Sequence, residues 1–378
     1  MKSPALRAVV MLGIVSLLGD IIYEGSRGLI PEYLRFLGAS ALIVGTVMGT
    51  GELVSYAVRL ASGVLADTTK RYWGLTFLGY GLIIGIPLLA LAHSWQLALA
   101  FILVERLGKA IRTPARDVIL AAASRGVGKG KAFGIHEFMD QLGAVAGPLI
   151  VAGLVWGTES DFSLVFGALL VPYLVMLASL IRAKRNIGEI GWERKERKAK
   201  VGAGAFATYT AAVGLNTLGL IPVALLLYTT AGMVAAAWIV PLVYAIIQIV
   251  DAPVALLAGY AYDRVGRRVL LLPFALAAVS SVLVLASESI GVILVAAMVF
   301  GAVLGMQESI YRAAVAELVP AEKRGRAYGV FHTVYGVALL GAGAMFGWML
   351  DAGAGLAVGL PYVCGVQITA ILLLARTL

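Results

Sequence analysis

Charge is the scarce commodity in this sequence. Of 378 residues only 13% are Asp, Glu, Lys or Arg, against 61% hydrophobic residues, and the mean hydropathy is +0.93. A soluble chain of this length could not bury that much apolar surface, so the composition excludes a soluble enzyme and points to the bilayer. Cysteine is nearly absent: Cys364 stands alone in an apolar run, which excludes an internal disulfide and leaves it as a small hydrophobe. No phosphate-binding P-loop, nucleophile elbow, zinc-protease helix or dinucleotide fingerprint occurs. ATP is therefore not the expected energy source. The sequence calls for no catalytic residue, no cofactor and no resident metal.

What is present is a series of apolar segments about 20 residues long, the length of a membrane-crossing helix. Twelve can be read, at about 8–34, 41–65, 73–92, 95–120, 132–156, 162–181, 203–229, 233–258, 268–287, 290–317, 327–349 and 354–375. The runs are too continuous for the alternating strands of an outer-membrane barrel. The 45 glycines suit close packing of such helices. The N-terminal run resembles a signal peptide, but no small-residue cleavage site follows, and it is read as the first span. Counting the loops that would share one side places 24 of the 30 Lys and Arg there, while the opposite loops hold Arg35 and almost nothing else basic. By the positive-inside rule both termini are expected in the cytoplasm, and the span number is even. The expected location is the cytoplasmic (inner) membrane. The longest loop, RAKRNIGEIGWERKERKAK (182–200), reads as a solvated basic linker that can lie on anionic lipid, not as a nucleic-acid site.

The chain also repeats itself at a shift of about 195 residues. SGVLADTTKR (62–71) matches AGYAYDRVGR (258–267), and KGKAFGIH (129–136) matches RGRAYGVF (324–331). Two parallel six-helix halves follow, with expected bounds 1–181 and 203–378 and the linker 182–202 between them. On these motifs the sequence resembles the major facilitator superfamily over its whole length. That family's loop signature runs roughly G-x-L-A-D-R-x-G-R-R. The second copy keeps Gly259, Asp263, Arg264, Gly266, Arg267 and Arg268. The first keeps Gly63, Leu65, Ala66, Asp67 and Arg71, but has Thr68 and Lys70 where Arg and Gly are usual. The resemblance implies an all-α membrane protein, twelve helices in two pseudo-symmetric bundles, whose signature contacts lock one conformation. Gly63 and Gly259 are expected to let helices approach closely. Asp67 is expected to meet Arg112 or Arg116. VERLGKAIR (104–112) partly resembles the family's R-x-x-Q-G region, with Arg106 as the buried arginine. GAVAGP (143–148), with Gly143, Gly147 and Pro148, resembles the signature of the antiporter branch, and is equally readable as a small-residue packing face with a bend at the proline.

The charges inside the spans suggest where function lies. Asp20, Glu24 and Arg27 are spaced i, i+4, i+7 and share one helical face. A charge in the bilayer costs at least ~2.5 kcal/mol, so this face should turn toward protein or a watery cavity. At ~1.5 Å per residue Asp20 lies about 18 Å into its span, and Glu52 and Arg106 about 17 Å into theirs, near the middle of a ~30 Å core. Substrate and coupling-ion sites of secondary transporters lie at that depth. Asp20 and Glu24 are the expected proton-titrating or cation-sensing acids, with Arg106 modulating them. The alternative is that these charges only neutralise one another, with Glu24 and Arg27 paired at i, i+3. His136 and Asp140 share a face with Gly143 and Gly147, and read as a proton relay, a divalent-cation site or a local hydrogen bond. His332 is a third, isolated candidate. The second half keeps Asp251, Glu308 and Arg312 near its cytoplasmic third, with Asn216 and Gln248 deeper in.

The sequence thus predicts a monomeric, non-enzymatic secondary transporter working by alternating access. Its partners would be a small molecule, protons and the lipid bilayer. Proton-coupled export of an amphipathic or cationic compound leads. Proton-coupled import of an organic anion held by Arg27 or Arg106, or carriage of a divalent metal, are the alternatives.

Overall fold

The computed structural model describes residues 4–123, 129–188, 203–319 and 324–378, with no strand among them. Among the described residues twelve helical segments follow one another: α1 (Pro4–Phe36), α2 (Ala41–Thr69), α3 (Tyr72–Leu91), α4 (Trp95–Ala123), α5 (Lys129–Gly157), α6 (Phe162–Ile187), α7 (Gly204–Met233, broken at 219–222), α8 (Ile239–Val265), α9 (Leu271–Leu285), α10 (Ile290–Leu318), α11 (Arg324–Asp351) and α12 (Gly355–Ala375). Among the same residues ten stretches are long and apolar enough to cross a membrane. One of them, Ile239–Leu285, contains both α8 and α9. The remaining helix, α4, has the length but carries Glu105, Arg106, Lys109, Arg112, Arg116 and Asp117. Leu256, Trp156 and Val171 are 77%, 72% and 67% exposed. Apolar surface of that kind on long apolar helices is what lipid covers, and the protein is a multi-pass membrane protein. The basic linker is helical up to Ile187, as the end of α6. Its remainder, residues 189–202, and the loop basic residues Arg125 and Lys323 lie outside the described residues.

The helices pack into two units, Met1–Tyr33 with Val54–Arg194, and Leu34–Leu53 with Lys195–Leu378. The boundary therefore runs through α2, whose first half belongs with the C-terminal helices. Within the first unit, Tyr33 on α1 donates to the carbonyls of Leu89 and Ala92 (2.9 and 2.6 Å), while its ring packs on Phe166 of α6. The Trp73 indole donates to the carbonyl of Gly188 (2.8 Å), tying the start of α3 to the end of α6. The α1–α5 crossing is made of backbone. A Cβ on Gly147 would lie 2.8 Å from the Gly25 nitrogen and the Ile21 oxygen, and one on Gly143 would lie 2.6 Å from the Leu17 oxygen. No side chain fits there, which is the small-residue face read from GAVAGP.

The second unit has two apolar cores. One gathers Leu225, Tyr244, Phe300 and Phe346; the other gathers Tyr209, Phe274, Tyr311 and Phe331. Between its helices runs a closed polar network. Tyr311 donates to Asn216 Oδ1 (2.8 Å), Asn216 donates to Gln367 Oε1 (2.9 Å), and the Gln367 amide returns to the Asn216 carbonyl (3.0 Å). Each member satisfies another, so the network is neutral and specific rather than a penalty. Tyr311 reaches it because residues Gln307–Tyr311 form a π-helical turn in α10. Asp351, the last residue of α11, accepts from the backbone N–H groups of Ala41 (2.8 Å) and Leu42 (2.9 Å). It thereby caps the N-terminus of α2.

The signature loops are built alike. Gly266 ends α8 at φ +73°, a conformation glycine adopts without cost. Lys70, in the position of that glycine in the first copy, is also left-handed at φ +54°. The close approach expected at Gly63 is not made: a Cβ there would meet Pro114 at an ordinary 3.8 Å, because proline already spaces α4 from α2. Gly259 is tighter: a Cβ there would lie 3.1 Å from Ser309 Oγ.

Candidate functional site

One helix face of α1 meets one face of α4 and one of α5 inside the first unit, and the buried charges gather there. Asp20, Glu24 and Arg27 follow the i, i+4, i+7 stripe along α1. On α4 the residues Glu105, Lys109, Arg112 and Arg116 follow a similar stripe, at i, i+4, i+7 and i+11. Glu24 is held by two cations, Arg27 (3.5 Å) and Lys109 (3.9 Å). The expected Glu24–Arg27 pair is thus present, joined by a lysine the sequence reading did not single out. Arg106 is 2% exposed and lies 3.4 Å from its neighbour Glu105.

Further along, Asp140 of α5 accepts two partners on one oxygen. His136 Nδ1 is 3.3 Å away and Arg116 Nη1 is 3.8 Å away. Arg116 also binds Asp117 Oδ1 (2.9 Å) and donates to Ser16 Oγ (3.1 Å) on α1. Arg112 lies over the rings of Tyr23 (5.3 Å) and Tyr80 (5.1 Å), and Lys109 lies over Tyr23 at 4.4 Å. Arg112 and Arg116, expected above as partners for Asp67, are therefore turned into the bundle. The tyrosine faces and Asp140 hold them there, while Asp67 and Arg71 are exposed at the end of α2. In the second copy Asp263 is exposed, Arg264 stacks on Tyr260 (4.2 Å), and Arg267 pairs with Glu317 (3.3 Å). Glu52 is half-buried on the part of α2 that belongs to the second unit.

Asp20 stands apart from its neighbours. It is 6% exposed, and it makes no ion pair among the described residues. Its Cβ lies against Gly143, at 2.8 Å from where a Cβ of that residue would be. The charges that act on it are Asp140, Glu24 and Lys109. Two like charges outnumber the one opposite charge around this carboxylate, which also takes a hydrogen bond from Tyr23. The G-x-x-x-G-P turn of α5 is what brings it beside Asp140.

Of the residues singled out in the sequence, Asp20, Glu24, Arg27, Arg106, His136 and Asp140 lie among these charges of the first unit. Sequence reasoning missed Ser16, Tyr23, Glu105, Lys109 and Asp117, and gave Arg112 and Arg116 a different neighbour. The stripe on α4 was open to the same periodicity argument that found α1.

The comparisons agree with this architecture. The family model of the Major Facilitator Superfamily matches residues 11–343, and the chain belongs to that family. It is a membrane transporter of that type. The chain is 37% identical over 365 residues to the uncharacterized protein Rv2265 of Mycobacterium tuberculosis, covering 93% of this chain and 88% of that one. Over 172 residues it is 29% identical to an uncharacterized MFS-type transporter of Methanocaldococcus jannaschii, 45% of this chain and 43% of that one. Over 140 residues it is 30% identical to the multidrug resistance protein MdtH of Cronobacter sakazakii, 36% of this chain and 33% of the other. In fold it is similar to the nucleoside transporter NupG, with a TM-score of 0.79 at 12% identity over 98% of both chains. It is also similar to a POT family transporter in complex with 5-aminolevulinic acid, with a TM-score of 0.76 at 14% identity over 98% and 95%.

Proposed function

We propose that this transporter exports a small amphipathic or cationic compound in exchange for protons, by alternating access, with Asp20 as the coupling group. The observation that carries this reading is the buried carboxylate of Asp20 beside Asp140 and Glu24. A buried carboxylate with two like charges and only one cation, Lys109, around it is neutralised readily by a proton. The surrounding cluster supplies the exchange logic. Asp20, Glu24, Glu105, Asp117 and Asp140 balance Arg27, Arg106, Lys109, Arg112 and Arg116 in charge. A proton on Asp20 adds one positive charge to a cluster otherwise at zero, which disfavours a bound cation. Loss of that proton removes the repulsion and leaves a carboxylate that can receive the cation. Asp140 and His136, 3.3 Å apart, offer the proton a route along α5. The multidrug resistance proteins among the relatives lend support to export, and the span-five signature does the same.

A second reading rests on Arg112. Its charge is held by two ring faces and by no carboxylate among the described residues, so it could receive an organic anion. A divalent metal is disfavoured, because no three His, Cys, Asp or Glu side chains among the described residues gather to hold one.

The test is flux in liposomes carrying an internal pH dye. A pH gradient is imposed and lipophilic cations, organic anions and divalent metals are added, with wild type compared against Asp20→Asn and Glu24→Gln. Dissipation of the gradient by cations in wild type, lost in Asp20→Asn, supports the antiporter. Movement of an anion alone, lost in Arg112→Gln, gives the second reading the lead. A metal response, or a variant matching wild type, overturns the role of Asp20.

A further inference from the structure

In the second half, Arg312 and His332, which the coupling site leaves unused, line one cleft. A cleft of about 460 Å³ opens between α10 and α11, lined by Ser309, Arg312, Ala313, Ala316, Tyr328 and His332. Its polar groups include three kinds of donor, the Ser309 hydroxyl, the Arg312 guanidinium and the His332 imidazole, beside the ring of Tyr328. None of its lining residues is acidic. The nearby carboxylate of Glu317 is engaged elsewhere, accepting from Tyr262 (2.7 Å) and pairing with Arg267 (3.3 Å).

Arg312 is anchored without losing its charge. Its Nε and Nη2 donate to the backbone carbonyl of Glu308, at 3.1 and 2.9 Å. A neutral carbonyl fixes the plane of the guanidinium but does not neutralise it. A guanidinium has five N–H donors, so the Nη1 edge stays available for a second group. Tyr328 braces the same helix by donating to the Arg312 carbonyl (3.0 Å), and its ring stacks on His332 at 6.2 Å. The small side chains of Ala313 and Ala316 leave the room.

The π-helical turn explains the register. Gln307–Tyr311 closes wider than an α-turn, and such turns often mark functional positions. Here it sends Tyr311 into the neutral network while Ser309 and Arg312 face the cleft. Ser309 also sits against Gly259 of the loop signature, so α8 can close up behind it only because that residue lacks a side chain.

We infer that this cleft is an anion-binding site, taking a carboxylate or phosphate group on the Arg312 guanidinium with Ser309, Tyr328 and His332 around it. The inference is independent of the coupling role of Asp20. The group could belong to a free anion or to an anionic lipid headgroup, and the shared chemistry is the same.

The experiment uses the full-length protein. In detergent, inorganic phosphate is titrated against thermal unfolding at constant ionic strength, with chloride as the control salt. In nanodiscs, phosphatidylcholine alone is compared with phosphatidylcholine plus phosphatidylglycerol, and bound lipid is counted by native mass spectrometry. Phosphate should raise the unfolding midpoint of wild type saturably. Arg312→Gln should weaken that apparent affinity by about tenfold or more, the loss expected for a charge-assisted contact. Asp20→Asn should leave it unchanged. Retention of phosphatidylglycerol, lost in Arg312→Gln with no response to phosphate, assigns the site to a headgroup. Should Arg312→Gln not yield monodisperse protein, the Ser309→Ala, His332→Gln double variant replaces it and should also weaken binding. Absence of binding by either probe, or binding indifferent to these variants, overturns the inference.

Discussion

Lys70 and Gly266 both hold a positive φ at matching positions of the two halves, +54° and +73°. Only one of them is the residue type that conformation favours. For a side-chain-bearing residue it costs roughly 1–2 kcal/mol. Lys70→Gly is therefore expected to stabilise the protein by about 1 kcal/mol, and Gly266→Val to destabilise it by at least as much. Thermal unfolding of the purified protein in detergent checks both. An unchanged midpoint for Lys70→Gly would show that the lysine side chain compensates for its backbone.

Gly147 and Gly153 lie on the same helix and differ in surroundings. A Cβ at Gly147 would strike backbone atoms of Gly25 and Ile21, whereas one at Gly153 would meet nothing within 4 Å. Backbone cannot step aside as a flexible side chain can. Gly147→Ala should cost on the order of 1–3 kcal/mol, with reduced transport, and Gly153→Ala should be close to silent. Equal effects at the two sites would mean that helix propensity, not the crossing, sets the cost.

Arg116 and Asp140 test whether the cluster works as a unit. Removing Arg116 leaves the part-buried Asp140 to His136. Arg116→Gln should therefore cost on the order of 1–3 kcal/mol. The double variant Arg116→Gln, Asp140→Asn should recover part of this, and a double-mutant cycle on unfolding midpoints measures the coupling. Strict additivity would indicate that the 3.8 Å contact contributes little.

Asp351 closes two N–H groups at the start of α2. Asp351→Ala removes both bonds and the favourable charge at the helix N-terminus, for a loss of about 0.5–2 kcal/mol. Asp351→Asn, which keeps an acceptor, should lose less. Hydrogen exchange at Ala41 and Leu42 should accelerate most in the alanine variant; uniform protection across all three proteins would argue against the cap.

Much of this architecture was legible in the sequence for one reason: a bilayer forces long apolar helices, and these announce themselves by length alone. Helix α4 is the instructive exception, since its six charges hide it from any measure of apolarity, yet charge topology still required a span there. The stripe on α1 was legible because i, i+4, i+7 charges must share a face. The partners were not. Nothing in the spelling of Arg112 says that it will lie between Tyr23 and Tyr80 instead of reaching Asp67, because that choice depends on how three helices pack. The left-handed Lys70 and the π-turn of α10 were equally invisible. The first is a residue its turn disfavours, and the second is a change of hydrogen-bonding register that no composition reports.

The bare crossing of α1 and α5 has a mechanical meaning. Two rods that touch through backbone at Gly25 and Gly147 have no layer of side chains between them to shear. They must travel together, as two limbs of one lever. Asp20 is mounted on one limb, and Asp140 and His136 on the other. Their spacing is therefore preserved through any motion of the lever, and what such a motion can alter is the surroundings to which this fixed trio is presented.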